Sequence, residues 1–405
     1  MVSLGKVDAG IAELKRALEI RSNTPEASTF PQAETYRALG LAYAESQNFQ
    51  AALEAFQQAQ AIALNFVNAG RAKEAATGYV DIARAYLNLS RFPEADQSLN
   101  EAEALIDRKV KEGDAEVDST NTRAYIADIR SVLAADWRND PVLAESLGVQ
   151  RLALTRQSND PDSLIYALNN LAVRKMTNGK LDEAEALYQE AIDTSIREFD
   201  KDNHRVAMCT ENLANVYYRK KEYAKALAML REVLRIRETI FGPQSTAAAR
   251  TRLNMGSIAN NTGEFALALE LADGVLPILR STIGENNQDF ATALRIRAVA
   301  LKGLDDLDGA LREYQAALAI YDATGHPAFG GRLRTLLSMT EIQCLQGHPE
   351  QAQQTADLAL KAVDPDKPDQ AKWIKDFQDL LATCAKGEAT TSPATTPQQP
   401  ASRPN

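Results

Sequence analysis

Asn170, Asn212 and Asn254 recur 42 residues apart, in the contexts Leu168-Asn169-Asn170-Leu171-Ala172, Glu211-Asn212-Leu213-Ala214-Asn215 and Leu253-Asn254-Met255-Gly256. Asparagine is a mediocre helix former because its short amide competes for nearby backbone groups, so three copies at equivalent mid-helix places ask for a role beyond propensity. The amide carries donors and an acceptor together. Arg250, Arg295 and Arg334 lie nearby, and a guanidinium fork suits carboxylates. The chemistry open to these residues is recognition by hydrogen bonds and charge. An asparagine that only caps or links adjacent helices fits the same recurrence, and the ladder lapses to Ile296 and Ser338 in the next two units.

Bond-making chemistry has no comparable signal. A GxSxG elbow, an HExxH pair, a Walker loop and a GxGxxG turn are all missing from the sequence. His204, His326 and His348 are dispersed and fall where loops are expected, so they read as turn residues. Cys209 and Cys344 fall in expected first helices and read as small packing residues. Asp305-Asp306-Leu307-Asp308 and Asp364-Pro365-Asp366 lack the glycine and glutamate of a calcium loop and read as caps and turns. No catalytic group, metal or cofactor is expected.

Composition narrows the setting. Three cysteines without CxxC spacing argue for a reducing, cytoplasmic compartment and against structural disulfides or zinc. The 45 basic and 55 acidic residues leave a net charge of -10, which argues against nucleic acid as a partner. No apolar run is long enough to span a bilayer and no signal peptide is recognisable, so no membrane partner is expected.

The elements that must carry these residues follow from the period. Ala172, Ala214, Gly256, Ala298 and Thr340 are equivalent, as are Ala184, Ala226, Ala268, Ala310 and Ala352, and then Ala191, Val233, Val275, Ala317 and Ala359. A fixed period means one supersecondary unit stacked many times. Residues 164 to 178 place Leu164, Leu168, Leu171 and Ala172 on one helical face. A turn at Gly179-Lys180 follows, and Leu181, Ala184, Leu187, Tyr188, Ala191 and Ile192 resume the periodicity. The unit is a helical hairpin, and no segment alternates as a strand would.

The sets Leu171, Ala172, Gly179, Ala184, Tyr188, Ala191 and Leu39, Gly40, Tyr43, Ala52, Phe56, Ala59 resemble the tetratricopeptide repeat, as do Ile82, Ala83, Tyr86, Phe92, Ala95, Leu99 and Ala102. The period is longer than the usual one and resembles the long-repeat subtype of kinesin light chains and many bacterial proteins. Loops at Phe241-Gly242-Pro243, Ile283-Gly284 and Gly325-His326-Pro327 match that subtype in part, whereas Asp202-Asn203-His204-Arg205 lacks its Gly and Pro. The resemblance implies an all-α fold, a right-handed α-solenoid of helical hairpins whose first helices line a concave groove. In related long-repeat proteins the asparagine before the Leu-Ala pair faces that groove and can bond a peptide backbone. The peptide-binding set expected here is Asn170, Asn212, Asn215, Tyr218, Arg250, Asn254, Ser257, Arg295 and Arg334.

The expected organisation is an N-terminal block over 1–107, a degenerate repeat acting as a joint over 108–160, a C-terminal block over 161–384 and a disordered tail over 385–405. In the degenerate repeat the aromatic position falls on Gly148. Gly5 to Ile20 aligns with a second helix, so the chain opens half-way through a repeat, either inside a longer protein or as a lone cap. Trp373, Ile374, Phe377, Leu380 and Leu381 fall at helical spacing, as in a helix sealing the last repeat. The function expected is a non-enzymatic interaction scaffold that binds a protein or peptide partner, with an acidic or C-terminal segment favoured. The alternative is a sensor or docking region of a larger bacterial signalling protein, a serine/threonine kinase or transcription regulator, whose catalytic part lies upstream.

Overall fold

The computed structural model describes residues 4–22, 30–46, 48–158, 160–324, 329–363 and 368–386. The expected loop at Gly325-His326-Pro327, the Asp364-Pro365-Asp366 cluster and all but two residues of the expected tail lie outside them. Among the described residues every regular element is a helix. The chain divides into two compact units, Met1–Glu198 and Phe199–Asn405.

The first unit holds α1 (Leu4–Ser22), then the hairpins α2 (Phe30–Glu45) with α3 (Phe49–Asn65), α4 (Ala72–Asn88) with α5 (Phe92–Lys111), and α6 (Thr120–Asp136) with α7 (Pro141–Thr155). It ends on α8 (Pro161–Thr177) and α9 (Leu181–Phe199). The second holds α10 (His204–Arg219) with α11 (Tyr223–Phe241), α12 (Thr246–Thr262) with α13 (Phe265–Thr282), and α14 (Gln288–Gly303) with α15 (Leu307–Thr324). It closes with α16 (Phe329–Leu345), α17 (Pro349–Leu360) and α18 (Pro368–Ala385). Within each unit neighbouring hairpins pack on one another, and first helices also touch directly, α4 on α6 and α12 on α14. Each unit is therefore an α-solenoid with its first helices side by side.

The periodic small residues are the core. Ala172, Ala298 and Thr340, then Ala184, Ala226, Ala268, Ala310 and Ala352, then Ala191, Val233, Val275, Ala317 and Ala359 are all fully buried. Small side chains let helix axes approach closely, and Tyr188 and Tyr314 fill the space left at equivalent places in the second helices. Gly148 belongs to the same logic. A Cβ there would stand 3.1 Å from Leu171 Cδ1, so α7 meets α8 without room for the aromatic found elsewhere. Within 108–160, α6 and α7 nonetheless form a complete hairpin.

Caps set the helix starts. Asn203 Oδ1 accepts from the backbone N–H groups of Arg205 (2.8 Å) and Val206 (3.0 Å), which begins α10 without the glycine or proline used elsewhere. Ser245 Oγ and Asn287 Oδ1 do the same for Ala248 and Phe290, starting α12 and α14. Gly179 ends α8 at φ +77°, a conformation that costs glycine nothing. At the far end, Phe377 of α18 is fully buried against Leu333, Leu336, Ala359 and Val363, with Trp373, Ile374 and Leu381 packed around it. The helix seals the last hairpin.

Candidate functional site

The asparagine ladder rests on carboxylates one repeat upstream. Asn170 on α8 donates from Nδ2 to Asp128 Oδ1 on α6 at 3.0 Å and accepts from Asn169 at 3.2 Å. Asn254 on α12 donates to Glu211 Oε1 on α10 at 2.9 Å. Each carboxylate is also held by an arginine from the intervening second helix, Arg151 of α7 on Asp128 and Arg237 of α11 on Glu211. The Arg237 contacts are bidentate, 2.9 and 2.6 Å, and a further bond of 2.7 Å runs to Thr251. The same acid, asparagine and arginine device thus appears in both units. Sequence reasoning missed its arginines, because they sit on second helices, away from the ladder.

The remaining expected residues divide in two. Arg250 pairs with Asp289 on the first turn of α14 at 2.7 Å, so its charge is already balanced. Ser257 is buried, and Asn212 is half-buried and engaged. Tyr218 is buried; its hydroxyl accepts from Asn261 Nδ2 at 2.9 Å, and the same amide reaches the Ser257 carbonyl at 2.7 Å. Asn215, only 8% exposed, makes no side-chain hydrogen bond among the described residues.

Arg295 and Arg334 differ from Arg250. Arg295 is 8% exposed, and its Nε has no hydrogen-bond partner. Arg334 is largely buried, and neither arginine forms an ion pair among the described residues. Burial first, then the Arg295 charge, holds the Arg334 guanidinium below its ordinary pKa, while the Tyr321 and Tyr218 hydroxyls oppose that shift. These groups therefore sit within electrostatic reach of one another inside the second unit. The Tyr314 hydroxyl, pushed up to about 12 chiefly by burial, is taken by Ser338. Lys302 of α14 and Glu341 of α16 close on each other at 2.7 Å.

The titratable groups elsewhere do not converge. His204 opens α10 edge-on against Phe241 at 6.3 Å between centroids, and partial desolvation there lowers its pKa. His348 caps α17 through its backbone position, with no side-chain cap bond. Asp306 Oδ1 accepts from the Gly309 N–H at 2.8 Å, the capping role expected of that cluster. His326 lies outside the described residues. Among the described residues no group of three or more His, Cys, Asp or Glu side chains is placed to hold a metal. Cys209 is buried and its thiol is pushed up to about 12 by that burial. The expectation against disulfides is overturned: Cys344 of α16 and Cys384 of α18 are bonded, with 5.3 Å between their Cα atoms. Their spacing of 40 residues hides a proximity made by the capping helix folding back on α16.

The tetratricopeptide-repeat family model matches residues 2–65 and 151–239. Among solved structures, the apo form of the quorum sensor NprR from B. thuringiensis is 16% identical, with 88% of this chain and 98% of that one covered at a TM-score of 0.62. The Rap protein complexed with Competence and Sporulation Factor is 14% identical, with 78% and 86% covered at a TM-score of 0.52. BtubC from P. vanneervenii is 21% identical over 64% of this chain and 93% of that one, at a TM-score of 0.45. No curated protein matches the sequence significantly. At such identities the likeness is one of fold.

Proposed function

This chain is a tetratricopeptide-repeat protein, and from that premise we propose that it is a non-enzymatic interaction scaffold which receives a peptide segment of a partner along its first helices. The observation that carries the reading is the Asn215 amide. Asn215 is mostly covered on a first helix, makes no side-chain hydrogen bond among the described residues, and has neither amide atom among the buried unpartnered ones, so its polar end stays open to solvent or to a ligand. Asn212 and Tyr218 stand within one turn of it on α10. An extended backbone laid along this face would offer that amide both a donor and an acceptor.

The solved Rap protein of similar fold is complexed with Competence and Sporulation Factor, which supports a reading in which this architecture receives a partner. The ligand proposed here is an acidic or C-terminal segment; the net charge of -10 speaks against nucleic acid. No described helix is long and apolar enough to cross a membrane. A cytoplasmic setting rests on the cysteine count alone, and the Cys344–Cys384 bond weighs against it. If the chain serves as the docking region of a larger signalling protein, the same face would do the docking.

Selection of a displayed random peptide library tests the reading, using the wild-type chain beside a combined Asn212→Ala, Asn215→Ala variant, both checked as folded by circular dichroism. Enrichment of a shared motif by the wild type and its loss in the variant is the expected outcome. Equal enrichment by both would move the interaction surface off this face.

A further inference from the structure

The outward face of α7 is unlike that of the second helix that follows it. Val142 is 76% exposed and Val149 49%, and Ser146 and Ala153 are exposed on the same side. Every exposed residue from Pro141 to Thr155 is uncharged. In the register that matches Gly148 to Tyr188, the same four places on α9 hold Asp182, Ala186, Gln189 and Asp193, all exposed, so the solvated face carries charge one repeat on. The valines are not core residues turned outward, because α7 buries Ala144, Gly148, Arg151, Leu152 and Thr155 on its opposite side. Trp137, 41% exposed in the α6–α7 turn, widens the patch. Depletion of charge together with exposed aliphatic and aromatic side chains marks a protein contact.

We propose that this face is a self-association surface, on which α7 pairs antiparallel with α7 of a second copy about a twofold axis. The spacing selects that occupant. Val142, Ser146, Val149 and Ala153 follow in steps of four, three and four residues, a seam that keeps to one helical face and reads the same in both directions. Laid antiparallel on itself, the seam sets Val142 against Ala153 of the second copy and Val149 against Ser146 of the second copy, so each valine meets a small side chain. Parallel pairing would set valine on valine and leave Ser146 and Ala153 to face their own copies across a gap. The charges at the two ends agree with this. Arg138 holds Asp96 at 2.8 Å beside the start of α7, and Arg156 holds Glu190 at 2.8 Å at its end. Antiparallel apposition brings one such pair over the other, where each guanidinium meets a second carboxylate. The face is thus self-complementary, as a twofold contact requires. It lies on a second helix and stands independently of the first-helix reading, and a dimer built on it would carry two first-helix faces.

Sedimentation equilibrium of the full chain tests this. One helix face and a turn make less than a standard interface, so a dissociation constant on the order of 10–100 µM is expected, with the mass rising from monomer toward dimer between about 5 and 500 µM. A combined Val142→Glu, Val149→Glu variant should stay monomeric throughout with an unchanged circular dichroism spectrum, since both positions face solvent in the single chain. Ala186→Glu, at the equivalent exposed place on α9, should still dimerise. Cross-linking reads the direction. Val142→Cys and Ala153→Cys chains, mixed and mildly oxidised, should form a disulfide-linked dimer, whereas Val142→Cys alone should not, because its two copies would stand about 16 Å apart along the helix axis. A wild type that remains monomeric at the highest concentration would overturn the proposal and leave the face to a different protein, and a glutamate variant that dimerises as well as the wild type would move the contact elsewhere. Cross-linking of Val142→Cys alone, with none in the mixture beyond it, would overturn the antiparallel pairing.

Discussion

Asn254 Nδ2 lies 2.9 Å from Glu211 Oε1, so an amide expected to meet a ligand first meets the repeat upstream of it. The carboxylate is shared with Arg237, whose side chain is even more buried than its own, 11% against 17% exposed. The asparagine acts as a strut between neighbouring first helices and keeps its Oδ1 and one N–H for anything else.

This hierarchy is measurable by urea unfolding. Asn254→Ala should cost about 0.5–1.5 kcal/mol, the worth of one hydrogen bond. Glu211→Ala should cost about 3–5 kcal/mol, because it strands the Arg237 charge away from water. The reverse order would mean that the carboxylate is not what holds Arg237.

Tyr188 and Leu213 are fully buried, and truncation of either to alanine should cost about 2–5 kcal/mol. Chemical unfolding of both variants checks the register. A cost below about 0.5 kcal/mol for either would be incompatible with the packing described.

Thiol counting checks the cysteines. The native chain should show no thiol reactive to Ellman's reagent, the unfolded chain one from Cys209, and the unfolded, reduced chain three. Reduction, or Cys384→Ser, should lower stability by about 2–4 kcal/mol, provided the chain remains two-state. Three reactive thiols on unfolding without reductant would dispose of the bond.

Acid should act through Glu145. Hydrogen bonds from Lys175 and Lys180, with Asn178 adding a third, hold its carboxyl down at about 2. A depressed carboxylate contributes stability above its unfolded pKa and loses it as pH falls through the folded one. Stability should therefore decline between about pH 5 and pH 2, by about 1–3 kcal/mol from this group, and Glu145→Gln should flatten that part of the curve. An unchanged slope in the variant would show that other carboxylates govern acid unfolding.

The fold was legible because its requirements are local. Ala184, Ala226, Ala268, Ala310 and Ala352 must each be small for helices to cross, so spacing alone located the core. The site was legible only as a face. That Asn170 and Asn254 lie between first helices follows from periodicity, but what they touch depends on helix rotation and on which upstream position carries an acid. Arg250, Arg295 and Arg334 looked alike in sequence; Asp289, one repeat on, neutralises the first and leaves the others. The disulfide escaped notice because short-range CxxC spacing is blind to a helix that folds back.

The Cys344–Cys384 bond also has a mechanical meaning. Pull on the chain from beyond α18, and the load passes through sulfur straight to the end of α16, bypassing α17 and the capping helix. The stretch between the two sulfurs, a sequence separation of 40, cannot be drawn out, which hides about 140 Å of contour length until a reductant is added. A stack of hairpins peels most easily from a free end, and here that end is riveted, so tension arriving from this side must breach an interior hairpin before anything unravels.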